Sequence, residues 1–303
     1  MMKWEVLFSK NHHNHQLQLN NMLKYIQGKI RKWQNKRRFN EYGYEIRQFD
    51  IPEFGQVEYA QWLHPLEGTK QIQLSNIQFY QKLGPAGGLI LDIGAHTGDT
   101  TVPMALATGK NGTVLAFEPN PYVFKILQQN AQRNTQQTNI IPYCLAATQE
   151  DGTFTFHYSD ASFCNGGFLS QINKKNHGHA YSLEITGKNL RRFLEKNHSD
   201  LLPNLKLIKI DAEGYDKEIL KTLPEIIHQY HPHLMIECYK NLNEAERFEL
   251  FDIVSELGYT LFLLDNFEVF EHLIQIERKD MLARKHFEIL AVHTSQKHLF
   301  SKA

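Results

Sequence analysis

The 303-residue chain has little of several things that would place it in large functional classes. It has three cysteines, Cys144, Cys164 and Cys238, far apart and odd in number. That excludes a disulfide framework and the common zinc spacings, and the usage fits a reducing compartment. No apolar run approaches the roughly 18 residues of a membrane-spanning helix. The opening MMKWEVLFSK is too polar for a secretory signal, so the expected location is the cytoplasm. There is no excess of either charge, because 33 Lys and Arg balance 33 Asp and Glu. The whole molecule is therefore not built to bind a polyanion. Internal repeats are absent too.

The neutral total hides an asymmetry. Residues 1–50 carry ten Lys and Arg against four acids, so the remainder has the opposite excess. Within this segment Leu19, Met22, Leu23, Ile26, Ile30 and Trp33 recur at steps of three and four, the spacing of a helix with one apolar stripe. Lys24, Arg31, Lys32 and Arg38 fall on the other side. Two roles stay open for this arm: packing against its own domain or a partner subunit, and peripheral contact with an anionic membrane, at its inner face for a cytoplasmic protein. No aromatic platform accompanies the charge, which speaks against nucleic acid. The HHNH tract (12–15) lies in a polar tail and is not read as a metal site.

The arm is assigned to residues 1–70, with short strands or a hairpin over 43–66. Residues 71–303 form the main domain. After a helix over Leu74–Leu83, apolar segments alternate with helical ones. GLILDIGA, TVLAFEPN, NIIPYCLAAT, LKLIKIDAEG, HLMIECY, YTLFLLD and HFEILAVH read as strands. Strands apolar on both faces and separated by helices predict a doubly wound α/β fold around a mostly parallel, seven-stranded sheet, with one late strand antiparallel.

The first of these strands runs into LILDIGAHTGDTT (89–101). In a doubly wound fold the ligand lies beyond the strand ends, where strand order reverses. A dinucleotide site would place G-x-G-x-x-G here. This turn has only Gly94 and Gly98, with His96 where a second glycine would stand, and Asp92 and Asp99 bracket it. Carboxylates repel a pyrophosphate but suit a cofactor bearing an ammonium and a sulfonium, such as S-adenosylmethionine. The next strand ends in Glu118, placed to accept both hydroxyls of an adenosine ribose.

The motifs LDIGAHTGDTT, FEPNP (117–121), LQQNAQRN (127–134) and IKIDAEG (208–214) together resemble the FkbM family of methyltransferases over residues 86–265. The resemblance implies a class I, Rossmann-like, S-adenosylmethionine-dependent O-methyltransferase. Family substrates are often sugar hydroxyls, glycans or natural products. It also implies that Asp92, Gly94, Gly98 and Glu118 contact the cofactor, with His96 on the cofactor side of the turn. Three departures stand out: His96 replaces the usual Asn, ITGKNL (185–190) replaces the usual LD before a helix, and Asp216 replaces the usual Glu.

Methyl transfer to an alcohol needs alignment and a sink for the hydroxyl proton. LIKIDAEG supplies Lys209, Asp211 and Glu213, spaced by two and therefore on one face of the strand. Glu237 ends the next strand, about 4.8 Å away if the two are neighbours. Asp211 is the expected base, with Glu213, Glu237 and Lys209 supporting it, or with Asp211 and Glu237 sharing a magnesium ion. Asp216, in the first turn of a helix, is read as structural. The loop SFCNGGF (162–168) is a candidate substrate loop. Other readings are a small-molecule acceptor of lipid or polyketide type, and a catalytically silent protein of the same fold that binds or scaffolds. A dehydrogenase is disfavoured by the missing glycines. An oligomer is compatible with all of these.

Overall fold

A computed structural model describes Met22 and residues 36–164, 166–167, 181–264 and 273–299. Apart from Met22, the stripe from Leu19 to Trp33 lies outside these residues, as do the HHNH tract and part of the SFCNGGF loop. Among the described residues no helix is long and apolar enough to cross a membrane.

The first strands among the described residues form an antiparallel hairpin, β1 (Tyr44–Ile51) and β2 (Gly55–Trp62), in register from Tyr44 opposite Trp62 to Ile51 opposite Gly55. Helix α1 (Leu74–Leu83) follows, and the alternation then begins: β3 (Leu89–Ile93), α2 (Thr101–Thr108), β4 (Thr113–Phe117), α3 (Pro121–Ala131) and β5 (Ile140–Tyr143). Strands β6 (Ala146–Thr148), β7 (Gly152–Tyr158), β8 (Gly166–Gly167) and β9 (Tyr181–Asn189) make a small separate sheet. The main sheet resumes after α4 (Leu190–Asn197) with β10 (Leu205–Ile210), α5 (Asp216–Leu220), α6 (Pro224–Tyr230), β11 (His233–Cys238), α7 (Glu244–Glu256), β12 (Tyr259–Leu264), β13 (Ile274–Gln275) and β14 (Phe287–His293).

The main sheet has the order β13-β12-β14-β11-β10-β3-β4-β5. It contains eight strands, one more than expected, and the addition is the two-residue β13 at its edge. From β11 to β5 neighbouring strands are parallel, and β14 runs antiparallel between β11 and β12. The chain moves outward from β3 to β4 and β5, then returns to place β10 on the other side of β3. The strand order therefore reverses between β3 and β10.

All residues of β3, β4 and β11 are buried, which is why their sequences are apolar on both faces. On one face Ile90, Val114, Leu207, Met235 and Leu290 pack with α1, α2 and the hairpin residues Ile51, Val57 and Tyr59. On the other, Leu91, Leu115, Ile208, Leu234 and Ile289 pack under α4, α5, α6 and α7. Packing does not divide at residue 70: the hairpin belongs to the same core as the sheet.

Helix α3 shows how local sequence sets the site. Pro121 occupies its first turn, and Asn120 caps it by accepting from Tyr122 N at 3.0 Å. Its buried stripe is Val123, Ile126, Leu127 and Asn130. Asn130, wholly buried, accepts from Ala60 N (2.6 Å) and donates to Ala60 O (3.1 Å) and Thr97 O (2.7 Å). One side chain thus ties the hairpin to the glycine turn. The hydroxyls of Tyr59 and Thr97, 2.7 Å apart, form a second tie.

Candidate active site

The strand-order reversal opens a cavity at the carboxyl ends of β3, β4 and β10. Gly94, His96, Glu118, Lys209, Asp211 and Glu213 all line it. Six of the nine expected site residues therefore meet in one place.

Gly94 makes this meeting sterically feasible. Its φ is +78°, and a Cβ there would stand 1.9 Å from Asp211 O. Only glycine lets the turn after β3 pass so close to the end of β10. Gly94 N and Ala95 N both donate to Phe117 O at 3.0 Å, which fixes the turn against β4. Gly98 does not line the cavity. Its φ is +94°, and a Cβ would press on Leu127 at 3.1 Å, so it serves the packing of the turn on α3.

Glu118 is 7% exposed, and each of its oxygens accepts one backbone amide. Oε2 accepts from His96 N at 3.0 Å and Oε1 from Asn120 N at 2.8 Å. Burial pushes its pKa up, opposed by the neighbouring His96 and by these two amides. Each carboxylate oxygen keeps one lone pair. A pair of vicinal hydroxyls is the ligand group that matches two adjacent acceptors of this kind.

Asp92, expected to touch the cofactor, is not among the residues that line the cavity. It is fully buried beneath the cavity floor. Its Oδ2 accepts from Thr101 Oγ1 at 2.6 Å and Thr100 Oγ1 at 3.2 Å, and its Oδ1 lies 3.2 Å from Lys209 Nζ. Asp92 thus secures the start of α2 and the charge of Lys209. Lys209 also reaches Asp211 Oδ2 at 3.6 Å and Gly94 O at 3.4 Å. Burial opposes its charge, but Asp92 and Asp211 outweigh burial and hold it firmly protonated. The Asp211 side chain itself is 42% exposed.

Glu237 does not line this cavity. It is buried, and its Oε1 meets His286 Nε2 at 2.7 Å while Oε2 has no hydrogen-bond partner. Lys209 pairs with Met235 and Ile210 with Ile236, so Asp211 comes next to Glu237 in the same register. Glu288, which sequence reasoning missed, stands directly opposite Glu237 on β14. Burial, then Asp211 and the other acids, pushes Glu237 strongly upward. Burial and Asp211 push Glu288 up to about 7. Glu237 and Glu288 are therefore shifted toward holding protons. Asp216 closes the turn after β10 by accepting from Ala212 N (3.2 Å) and Gly214 N (3.0 Å), the structural role expected of it.

Two further residues of the cavity wall were not among the expected site residues. Lys70, from the loop after the hairpin, and Cys164, from the candidate substrate loop, both line it. Glu67, His96 and Cys164 bring one potential metal-ligand atom each within 4.8 Å of one another. Lys70 Nζ already stands 3.2 Å from Glu67 Oε1, so this corner has a cation of its own. The loop bearing Cys164 is held by Asp160, which accepts from Ser162 N (3.1 Å) and Cys164 N (3.2 Å), and by Ala161 N donating to Lys36 O (2.8 Å).

A doubly wound sheet, a glycine turn without the dinucleotide spacing and an acid ready for a ribose define a class I, S-adenosylmethionine-dependent methyltransferase. The chain belongs to the FkbM methyltransferase family: residues 92–268, more than half of it, match the methyltransferase FkbM domain. Solved structures similar to it include an S-adenosylmethionine-dependent O-methyltransferase from Thermotoga maritima (13% identity, 83% of this chain and 78% of that one, TM-score 0.41). Another is the methyltransferase FkbM from Methylobacillus flagellatus (14% identity, 72% of this chain and 50% of that one, TM-score 0.41). A third is the fibrillarin pre-rRNA processing protein of Methanococcus jannaschii (15% identity, 82% of this chain and 83% of that one, TM-score 0.38). The match spans half the length of the Methylobacillus protein. Comparison with curated proteins finds no match. The assignment rests on the family match and on the geometry of Glu118 and Gly94, which fit the cofactor that the family implies.

Proposed function

We propose that the protein is an O-methyltransferase acting on a hydroxyl of a sugar, glycan or related small molecule. The cofactor supplies an electrophilic methyl group on a sulfonium. Glu118 would hold the ribose, and the turn at Gly94 and His96 would flank the chain that leads to the sulfur. What remains for the protein is to align the acceptor and take its proton.

The observation that carries the reading is Asp211. It is the exposed carboxylate at the point where strand order reverses, it shares one cavity with Glu118, and Lys209 anchors it from below. An acceptor hydroxyl bound there can pass its proton to Asp211 Oδ1 or Oδ2 as the oxygen attacks. Glu213, pushed upward by burial and by Asp211, lines the same cavity and would orient the acceptor. Magnesium held by Asp211 and Glu237 is the competing version of the same step.

The test is methyl transfer from labelled donor to a panel of saccharides and lipid-linked acceptors, with and without chelator. Asp211→Asn should lower turnover by about a hundred- to ten-thousand-fold with little change in donor binding. Near-parent turnover makes Asp211 structural. Loss of activity to chelator and its return with magnesium selects the metal version. Transfer to lipid acceptors alone replaces the glycan reading, and donor binding without transfer to any class of acceptor favours a binding protein. Peripheral contact of the 19–33 stripe with the inner face of a membrane, in a cytoplasmic protein, belongs to the same proposal. Co-sedimentation with anionic vesicles tests it.

A further inference from the structure

The hairpin has two outer edges, and only one of them is closed. Leu63 N donates to Gly43 O at 2.9 Å. Bonded and non-bonded pairs alternate along an antiparallel ladder. In the observed register the pairs bonded across the hairpin are therefore Glu45 with Gln61, Arg47 with Tyr59 and Phe49 with Val57. The backbone groups of Glu58 and Ala60 face away from β1, and those of Tyr44, Ile46, Gln48 and Asp50 face away from β2.

The β2 edge is closed by two side-chain amides. Asn130 bonds both backbone groups of Ala60. Asn134 does the same for Glu58, accepting from its N at 2.9 Å and donating to its O at 2.8 Å. These amides stand where a third strand would. Along β1 no strand or side chain among the described residues meets the outward groups of Tyr44, Ile46, Gln48 and Asp50. The edge also lacks the usual guards against pairing: Tyr44–Ile51 has no proline, glycine or lysine and runs without a bulge. Tyr44 and Ile46 are 39% and 40% exposed on it.

This edge is complementary to itself. Only a residue with both backbone groups outward can sit on the twofold axis of an antiparallel pairing. An axis at Gln48 sets Tyr44 against Pro52, which has no N–H. An axis at Tyr44 or Asp50 carries the pairing off the end of the strand. An axis at Ile46 sets Ile46 against its own copy, Tyr44 against Gln48 and Glu45 against Arg47, each in both directions. Opposite charges then face one another on both sides of the axis. Arg47 gives one nitrogen to Lys70 O at 2.8 Å and keeps further donors for Glu45 of the second copy.

We propose that the protein pairs with a second copy of itself through β1, antiparallel and centred on Ile46, so that the two hairpins join into one continuous sheet. Such a contact uses the same patch on both copies, as a closed twofold dimer requires, and its backbone bonds are those of strand addition to an open edge.

The test is sedimentation equilibrium of the full chain from about 1 to about 200 μM. The parent should reach twice the mass of one chain. Gln48→Pro removes an outward N–H and leaves the β1–β2 ladder whole, so it should stay monomeric with a cooperative melt. Ile46→Lys puts like charges on the axis and should weaken association about tenfold or more, as should Ile46→Glu. Mixed in equal amounts, these two variants should recover most of the parent's association, because residue 46 of one copy meets residue 46 of the other. A parent that is monomeric throughout overturns the proposal. So does a dimer that Gln48→Pro and Ile46→Lys leave intact, and so does a mixture that associates no better than either charged variant alone. Ile46 is exposed, so the charged variants decide the question should Gln48→Pro not fold.

Discussion

Replacing Lys209 with methionine would test whether the floor of the site is held by charge. The variant keeps most of the side-chain stem and removes the ammonium. Asp92 would then be fully buried with Thr100 and Thr101 on Oδ2 and no charged partner for Oδ1. Breaking a buried pair from one side costs about 3–5 kcal/mol, because the remaining charge is left uncompensated. The two threonine hydroxyls place the expected loss near the lower end, about 3 kcal/mol. That is a large share of the roughly 5–15 kcal/mol that holds a typical domain together. Asp211, more than a third exposed, adds little to this figure. The assay is urea unfolding, read as a lower midpoint with an unchanged slope. The decisive arm is the double variant Asp92→Asn with Lys209→Met. The amide oxygen still accepts from the threonines and no charge is left behind, so the double variant should lose about 1 kcal/mol or less. The Asp92→Asn single variant closes the cycle and gives the coupling energy directly. A loss below about 1 kcal/mol for Lys209→Met would refute the buried-pair account, as would a double variant no more stable than that single one.

Glu118→Ala should weaken S-adenosylhomocysteine by about 1.5–3 kcal/mol in calorimetry. Glu118→Gln should rescue little, because its NH2 would face the N–H of His96 or Asn120; rescue to parent affinity would remove the two-amide account. Gly94→Ala should give no cooperative melt, or one lowered by many degrees, since the new Cβ meets backbone at 1.9 Å and the turn needs a positive φ; a parent-like melt would show that the β3 and β10 ends can part freely. Glu288→Gln gives a pH-dependent effect. The folded value of Glu288 is raised to about 7, above its unfolded value, so its contribution to stability is whole at low pH and is lost as pH rises through about 7. The glutamine variant lacks this loss. Relative to the parent it should be equal near pH 4 and gain about 1–3 kcal/mol by pH 8. A constant difference across that range contradicts a raised Glu288.

What could be read from sequence follows from how local the cause is. Helix α1 has the expected bounds, and the strands that became β3, β4, β10, β11, β12 and β14 were visible because burial on both faces makes a strand apolar throughout. NIIPYCLAAT looked like one strand by the same rule, yet it divides into β5 and β6, which belong to different sheets. Hydrophobicity alone does not record a change of partner. β13 has two residues, both exposed, and so leaves no periodicity to detect. The hairpin over 43–66 was anticipated as local structure, but its place in the core was not. That depends on Asn130, Thr97 and the face of α1, all distant in sequence.

The site divides along the same line. Gly94, His96, Glu118, Lys209, Asp211 and Glu213 each sit within a short motif at a strand end, and the doubly wound topology carries strand ends to one place. Asp92 and Glu237 obey the same positional rule but fail to line the cavity, and each turns to a neighbour instead: Asp92 to Lys209, Glu237 to His286. Position along a strand therefore predicts nearness to the site, while pairing decides whether a carboxylate remains available to a ligand. Three residues were given no role by motif reading, and each left a trace of one kind. Asn130 is a polar residue on the apolar stripe of α3, Glu288 is an acid within a strand whose neighbours are buried, and Lys70 is a basic residue in a loop whose carboxylate partner, Asp99, lies in the glycine turn. A polar group set where an apolar one would cost less implies a partner that the sequence does not name. In this fold the Lys70–Asp99 pair borders the cavity, while Asn130 ties the hairpin to the glycine turn, so a residue unexplained by local structure can build the site or brace it from outside.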